Sequence, residues 1–275
     1  MAEYWFDSHD GLRLYSRVYA SAAADAPVVL CLHGLMRNSR DFGELAAHLA
    51  ARHRVIVPDM RGRGLSARDP NFNNYQIPVY LQDVLTLLAG LGAARVTIIG
   101  TSMGGLMAML LAATQPKLVS RIVLNDVGPE VDPRGLERIR GYAGRAAPVR
   151  SWAEAAAQVR ADYGAAWPDL SDARWDEIAR LSYRANAQGV PEVDADPLIR
   201  EPLRDTSFSR NTPQISPIHE DDVRCAQRGM PQKQRVFIRK ANVREKQCKQ
   251  PCDESQHVSY PLCVTATSYF NGPGA

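Results

Sequence analysis

The chain has 275 residues with a formal net charge of +3, and 45% of its residues are hydrophobic. This length allows one large globular domain with an insertion, and the small net charge argues against a nucleic-acid partner. The start lacks a basic region followed by an apolar run, and no apolar stretch reaches the ~18 residues that a membrane span needs. We therefore expect a cytoplasmic protein with no membrane partner.

The first predicted elements are two strands of a hairpin, at residues 4–6 and 12–19, separated by a glycine-containing turn. A continuous apolar run follows at Val28–Leu32, which is typical of a parallel strand buried on both faces. Similar runs lie at residues 55–57, 96–99 and 122–124, and helical patterns lie between them at residues 41–52, 79–91 and 106–115. Strands that alternate with helices predict an α/β fold with a doubly wound, mostly parallel sheet.

The sequence directly after the first of these runs, His33-Gly34-Leu35, is a candidate for half of an oxyanion hole. An acyl-transfer site needs two N–H donors that converge on the developing negative charge, and one of them comes from a loop after an early strand. We expect Leu35 to supply that donor, with His33 and Gly34 lining the substrate pocket beside it. The alternative is that His33 and Gly34 form only a turn at the end of the strand.

A glycine-rich loop, residues 58–66, follows the next predicted strand and carries Arg61 and Arg63. Two arginines in a tight loop are a candidate anion site. The alternative, which we favour, is a charged, hydrogen-bonded loop that holds the edge of the sheet together.

The most informative stretch is Gly-Thr-Ser-Met-Gly at residues 100–104, between an apolar strand pattern and a helical pattern. A serine on such a tight turn needs residues almost without side chains two positions before and after it, which Gly100 and Gly104 provide. The turn exposes the hydroxyl of Ser102 and aims the free N–H groups of the helix start at charge that develops beside it. Ser102 is therefore the predicted nucleophile, and Met103 is the predicted second oxyanion donor.

The pattern changes after residue 129, because residues 134–187 show helices and loops without a strand run and contain Trp152, Trp167 and Trp175. We interpret residues 130–197 as a helical cap that follows a core at residues 1–129. Trp152 is predicted to line the substrate pocket, since small-molecule sites are mainly apolar. The alternative for each tryptophan is packing of the cap against the core.

The composition changes again after residue 205. Residues 1–205 hold 23 leucines and one cysteine, whereas residues 206–275 hold one leucine and four cysteines. In this tail, residues 236–238 and 263–264 resemble buried strand. Residues 198–275 are therefore predicted to be an atypical C-terminal segment. It is either a disordered extension, with the last part of the sheet missing or replaced, or the segment that completes the core.

Several of these motifs together resemble the α/β-hydrolase superfamily. In order they are a strand, His33-Gly34, a second strand, Asp-x-Arg-Gly-x-Gly-x-Ser at residues 59–66 and Gly-x-Ser-x-Gly at residues 100–104. The resemblance covers about residues 4–205. It implies a mostly parallel sheet with an inserted helical cap, Ser102 as nucleophile, and Leu35 and Met103 as oxyanion donors. A serine at the turn makes the relatives with an aspartate nucleophile, epoxide hydrolases and haloalkane dehalogenases, poor comparisons.

A serine nucleophile also needs a base, and the base needs an acid that orients it. Of the six histidines, His219 and His257 are left as candidate bases, and we favour His257 because it suits the order serine, acid, histidine. For the acid we favour Asp126, which follows the last predicted core strand at the sheet edge that carries Ser102. Asp126 can instead be a turn residue, and Asp253 is the alternative acid.

A rival site in the tail is the set Cys248, Cys252, His257 and Cys263, which offers the ligands of a tetrahedral zinc ion. The set has no glycine and little aromatic framing of the kind seen in a zinc knuckle. We therefore expect no metal and no other cofactor.

The sequence thus predicts a serine hydrolase that cleaves a small ester, lactone or related apolar carbonyl compound through an acyl-enzyme at Ser102. The alternative is a non-catalytic binding protein or an inactive hydrolase that lacks a competent histidine and acid. These two functions differ measurably, because loss of the base typically lowers turnover about a millionfold.

Overall fold

The computed structural model describes residues 1–23, 25–128, 141, 147–164 and 167–204, together with the backbone of one strand near the C-terminus. The described strands are β1 (Ala2–Asp7), β2 (Arg13–Tyr19), β3 (Val28–Leu32), β4 (Arg54–Asp59), β5 (Val96–Thr101), β6 (Val119–Asn125), β7 (Tyr183–Ala185), β8 (Pro191–Val193) and β9 (Leu262–Thr265). The described helices are α1 (Gly43–Leu49), α2 (Ile77–Gly90), α3 (Met103–Thr114), α4 (Trp152–Tyr163), α5 (Asp172–Ser182) and α6 (Glu201–Arg204), with 3₁₀ turns at Ser39–Phe42, Phe72–Asn74 and Pro197–Arg200. Within these ranges, no helix has the length and apolar character that crossing a bilayer requires.

Seven of the described strands form one sheet in the order β1-β2-β4-β3-β5-β6-β9. β1 and β2 form the predicted hairpin, with Ala2 opposite Val18 and Asp7 opposite Arg13. β2 pairs with β4 in antiparallel fashion, and the remaining neighbours are parallel. Because β3, β4, β5 and β6 run in the same direction, their carboxyl ends lie at one edge of the sheet.

Helices cover both faces of the sheet, which confirms the predicted doubly wound α/β fold. On one face, the buried side chains of Leu30, Ile56 and Ile98 pack with residues of α2 and α3. On the other face, Val29 and Val55 pack with α1. Successive residues of a strand point to opposite faces, so burial on both sides explains why these strands are continuous apolar runs.

Each predicted core strand lies where its apolar run is found, and the structure extends β4, β5 and β6 by a few residues. The helix predicted at residues 41–52 is shorter, because a 3₁₀ turn precedes α1. Near the C-terminus, residues 263–264 lie in β9, which pairs with β6 as the last strand of the sheet. Residues 236–238 lie outside the described residues.

The described residues of the predicted cap have their own hydrophobic cluster. α4 and α5 pack through small and aromatic side chains, with Ala155, Trp175 and Ala179 almost fully buried. After α5, the chain forms a short hairpin of β7 and β8. The sequence predicted no strand within residues 134–187, so β7 is a correction, and three residues are too few to display an alternating pattern. The predicted boundary at residues 129 and 130 lies outside the described residues and stays a prediction.

Candidate active site

Ser102 lies between β5 and α3 at the carboxyl edge of the sheet. Its backbone has a φ of 51° and a ψ of −114°, a conformation that costs a residue with a Cβ about 1–3 kcal/mol. Its N–H donates to the Asn125 carbonyl at the end of β6 over 2.9 Å, and its carbonyl accepts from the N–H groups of Gly105 and Leu106. Hydrogen bonds to a strand and to a helix thus hold the strained turn from both sides.

Close packing explains the two glycines of this turn. A Cβ on Gly104 would lie 2.1 Å from the Leu32 carbonyl oxygen in β3, and a Cβ on Gly100 would lie 2.4 Å from the Gly104 carbonyl oxygen. Contacts this short with backbone atoms cannot be relieved by side-chain movement. The close approach of α3 to β3 and β5 therefore dictates glycine at both positions.

The loop after β3 approaches the same turn. A Cβ placed on Gly34 would lie 3.9 Å from the Cβ of Ser102. Leu35 is the next residue, and Met103 is the first residue of α3, so its N–H has no acceptor within the helix. The structure thus brings the loop that holds Leu35 and the helix start at Met103 together beside Ser102.

His33 supports this loop from within the core. Its Nδ1 lies 2.8 Å from the Gly34 carbonyl oxygen, and the Met60 N–H donates to its Nε2 over 3.0 Å. A carbonyl oxygen only accepts and an amide N–H only donates, so the ring carries its proton on Nδ1 and is neutral. The Gly34 carbonyl and the Leu35 N–H belong to one planar peptide and point in opposite directions. The bond from His33 therefore sets the direction of the Leu35 N–H.

The imidazole of His33 is fully buried, and burial lowers its pKa to about 4. This keeps the ring in the neutral form that the two hydrogen bonds require. The placement differs from the pocket-lining role predicted for His33, because both ring nitrogens bond within the protein. Gly34 is also buried, and it contributes its backbone to the loop.

A buried arginine holds the loop between β4 and α2. The Arg61 side chain forms ion pairs with Asp10, Asp69 and Asp83 over 2.8, 2.6 and 2.6 Å. The hydrogen bond from Arg61 holds the pKa of Asp10 below its ordinary range. His9, Asp10 and Asp83 lie close enough to share a metal ion, but Arg61 already supplies positive charge to both carboxylates. The contacts of Arg61 agree with the favoured structural role for this loop.

A cavity of about 500 Å³ lies between the loop after Leu35 and the cap. Met36 lines it on the core side, and Val149, Val159 and Tyr183 line it on the cap side. Charged side chains are also present in its wall, namely Arg37, Arg68, Asp162 and Glu192. Burial raises the pKa of Asp162. This volume and mainly apolar lining are typical of a site for a small molecule.

Trp152, the predicted pocket residue of the cap, is not among the described residues that line this cavity. Its side chain packs against the hydrophobic cluster of the cap. The guanidinium of Arg180 lies over its ring, 4.5 Å from the ring centre. Trp152 thus packs against the cap cluster, which is the alternative that the sequence analysis gave for this residue.

Asp126 directly follows β6, the neighbour of the strand that leads to Ser102. It is exposed and has a φ of 56°. Within the described ranges, Asp126 and Ser102 are the two non-glycine residues with a positive φ. Two strained residues thus end two neighbouring strands at the same edge. The predicted base His257 and its alternative His219 lie outside the described residues, and so does Asp253.

The residues of the rival zinc site are only partly described. Cys248, Cys252 and His257 lie outside the described residues, and the backbone of Cys263 lies in β9. The absence of a metal and of other cofactors therefore stays a prediction.

The sequence analysis missed a set of contacts that joins the loop after Leu35 to the cap. Asn38 donates to the Leu181 carbonyl over 2.9 Å, and Arg40 donates to the same carbonyl over 3.0 Å and to Asp194 over 2.5 Å. Arg37 donates to the hydroxyl of Ser182. We call Arg37, Asn38 and Arg40 the cap latch. Their partners lie 141 to 154 positions away in the sequence. The polar run at residues 37–40 could have indicated that this loop makes polar contacts, but not with which residues.

Comparisons with known proteins agree with this geometry. A family model described as alpha/beta hydrolase fold matches residues 27–167. The crystal structure of an alpha/beta hydrolase from Novosphingobium aromaticivorans is 44% identical with a TM-score of 0.69, and the similarity covers 72% of this chain and 69% of that chain. The fold of this chain is thus similar to that of a solved alpha/beta hydrolase.

Two curated relatives match over shorter parts of their length. The 3-hydroxybutyrate-oligomer hydrolase of Cupriavidus necator is 38% identical over 194 residues, which are 70% of this chain and 64% of that protein. Esterase YbfF of Escherichia coli is 37% identical over 105 residues, which are 38% of this chain and 40% of that protein. The chain therefore spans less than two thirds of the length of either relative. With a family match over half of its residues and a solved relative of the same fold, the chain belongs to the alpha/beta hydrolase family.

Proposed function

We propose that this protein is a serine hydrolase that cleaves a small ester, lactone or related carbonyl compound through an acyl-enzyme at Ser102. The observation that carries the proposal is the strained backbone of Ser102, with its φ of 51° at the start of α3. Such strain persists where the surrounding structure enforces it, and it is common at active sites. The similarity to a 3-hydroxybutyrate-oligomer hydrolase supports ester bonds between hydroxy acids as the substrate.

In the proposed first step, the Oγ of Ser102 forms a bond to the carbonyl carbon while one electron pair of the C=O bond moves onto the oxygen. The serine proton passes to His257, which Asp126 orients. The N–H groups of Leu35 and Met103 stabilise the negative oxygen. The support of the loop by His33 favours this step, because the Leu35 N–H is oriented before the charge develops.

In the second step, the bond between the carbonyl carbon and the alcohol oxygen breaks, and the alcohol leaves with the proton held by His257. Water then attacks the acyl-enzyme with His257 as base, and the acid product is released while Ser102 regains its proton. No step needs an oxidant, a metal or another co-reactant. The cavity of about 500 Å³ is large enough for an acyl chain of several carbons. Its described lining begins at Met36, next to the donor Leu35, and does not include Ser102.

The test of the proposed function is labelling of the purified protein by a fluorophosphonate probe, followed by hydrolysis of p-nitrophenyl butyrate and of a linear 3-hydroxybutyrate trimer. We expect rapid labelling that Ser102→Ala abolishes and that the control Ser21→Ala, in the loop after β2, leaves unchanged. His257→Ala and His219→Ala identify the base, because loss of the base lowers turnover about a millionfold. Asp126→Asn against Asp253→Asn identifies the acid in the same way.

The outcomes separate the two functions that the sequence left open. Labelling at Ser102 without turnover of either ester would keep the nucleophile and reject this substrate class. A folded protein that the probe does not label would contradict the proposal and favour the non-catalytic alternative, a binding protein built on a hydrolase fold.

A further inference from the structure

The second arginine of the β4–α2 loop has an unusual set of partners. Arg63 is buried, with 1% of its surface exposed. Its Nε donates to the Leu35 carbonyl over 2.9 Å, and one terminal nitrogen donates to the Arg61 carbonyl over 2.8 Å and to the Tyr80 hydroxyl over 2.9 Å. The other terminal nitrogen lies 3.9 Å from the sulfur of Met103. The guanidinium thus contacts both residues that are the candidate oxyanion donors.

No carboxylate pairs with Arg63 within 4 Å in the part of the chain that the structure describes. The nearby carboxylate of Asp59 accepts instead from the backbone N–H groups of Ser39 and Leu65. Two aromatic rings face the guanidinium, with its carbon 4.8 Å from the ring centre of Tyr80 and 5.7 Å from that of Tyr75. Carbonyl oxygens and ring faces therefore offset the cost of burying this charge.

This arrangement differs from that of a structural ion pair. Arg61, two positions earlier in the same loop, has three carboxylates around it. The N–H groups of Arg63 instead contact the carbonyl of Leu35 in the loop after β3 and the sulfur of Met103 at the start of α3. These two segments follow β3 and β5, which pair with each other as far as Leu32 and Gly100. Beyond the end of that pairing, the planar guanidinium bridges them.

We propose that Arg63 is a positioning residue of the oxyanion hole, which fixes the spacing between Leu35 and Met103. The inference rests on the proposed function, since an oxyanion hole matters only if Ser102 attacks a carbonyl. His33 sets the direction of the Leu35 N–H, whereas Arg63 sets where Leu35 lies relative to Met103. The rigid fork of the guanidinium suits this task, because its donors keep fixed relative directions.

A positioning role predicts a specific kinetic change. Misplacement of a donor by about 1 Å costs on the order of a hundredfold in rate, and the loss is confined to the transition state because the oxyanion does not exist in the bound substrate. We therefore expect kcat for p-nitrophenyl butyrate to fall about 10- to 100-fold in Arg63→Met, with KM within about threefold of the wild-type value. Arg63→Lys keeps the charge but lacks the fork, so its kcat is expected to fall nearly as far.

The experiment compares wild type, Arg63→Met, Arg63→Lys and the control Arg13→Met, which removes an exposed arginine that pairs with Asp7 in the β1–β2 hairpin. Fluorophosphonate titration gives the concentration of reactive sites, so that turnover is counted per folded molecule. Hydrogen exchange of peptides covering residues 33–37 and 103–106 is measured on the same samples. We expect faster exchange in both peptides in the two Arg63 variants, and neither faster exchange nor a lower kcat in Arg13→Met.

The results distinguish this inference from the proposed function. If the wild type hydrolyses the ester and both Arg63 variants keep wild-type kcat and exchange, the inference is overturned and the proposed function stands. If the wild type does not react but exchange rises in both peptides, the proposed function fails and Arg63 still holds the two segments together. A fall in kcat that Arg13→Met reproduces would also overturn the inference, because it would indicate a general effect of removing an arginine from this protein.

Discussion

The carboxyl edge of the sheet and the cap are held in place by different kinds of contact. At the sheet edge, backbone meets backbone, and a single added carbon on Gly104 would lie 2.1 Å from the Leu32 carbonyl oxygen. Long polar side chains join the loop after Leu35 to the cap, as Arg40 does to Asp194. Substitutions around Ser102 therefore displace backbone and are poorly tolerated. Substitutions in the loop next to the cavity remove single side-chain contacts and leave the backbone in place.

The largest expected effect is on the sheet edge. Gly104→Ala places a Cβ against the backbone of β3, so we expect the free energy of unfolding to fall by at least about 3 kcal/mol, as measured by urea denaturation. The matched control is Gly43→Ala, since a Cβ on Gly43 meets nothing within 4 Å. It should leave stability unchanged or raise it by up to about 1 kcal/mol. Equal losses in the two variants would contradict the backbone-contact argument.

The next largest effect is a dependence of the free energy of unfolding on pH, which arises from His33 in the core. The pKa of His33 is about 4 in the folded protein against an ordinary value of 6.5. Between these values the unfolded chain binds more protons, so the free energy of unfolding falls as pH drops from 6.5 towards 4, by at most about 3 kcal/mol.

Urea denaturation at pH 7 and pH 4.5 checks this dependence. In His33→Asn, which lacks a titrating ring, the difference in stability between the two pH values should be smaller than in the wild type. If both proteins lose the same stability on acidification, the buried imidazole is not the group responsible.

The smallest expected effect is on the cap latch. Arg40→Met removes the hydrogen bonds to the Leu181 carbonyl and to Asp194. We therefore expect the free energy of unfolding to fall by about 1–2 kcal/mol. Because the latch lies between the cap and the loop, KM for a longer-chain ester should rise severalfold while fluorophosphonate labelling of Ser102 stays near the wild-type rate. The control is Arg160→Met, which breaks an exposed ion pair with Asp172 on the cap surface. A KM that rises equally in this control would argue against the latch.

Much of the fold could be predicted from the sequence, because it follows from local patterns. Apolar runs located β3, β4, β5 and β6, and burial of these strands on both faces is the reason that the runs are continuous. The turn at Ser102 was also predictable, since backbone contacts leave glycine as the residue that fits at positions 100 and 104. These signals lie within a few residues of the feature that they indicate.

The rest of the site depends on contacts between distant residues. The residues of the cap latch lie at least 141 positions from their partners. Among the acceptors of Arg63, the Leu35 carbonyl lies in the loop after β3 and the Tyr80 hydroxyl lies on α2. A polar residue in a sequence does not indicate which distant group it meets. For the same reason the sequence placed His33 in the pocket, whereas its buried partners Gly34 and Met60 direct it into the core.

The pairing of β9 with β6 has a consequence for how the molecule meets its neighbours in solution. β9 covers Arg121 to Leu124 with a parallel strand, in register from Leu262 to Thr265. Without it, β6 would present a row of unpaired N–H and C=O groups on its outer side, the kind of open strand to which another chain can add. With β9 in place the sheet ends in a strand of four residues, whereas β6 has seven, and a shorter edge offers less backbone to another chain. A chain shortened before Leu262 is therefore expected to aggregate more readily, even with Ser102 and its loops in place.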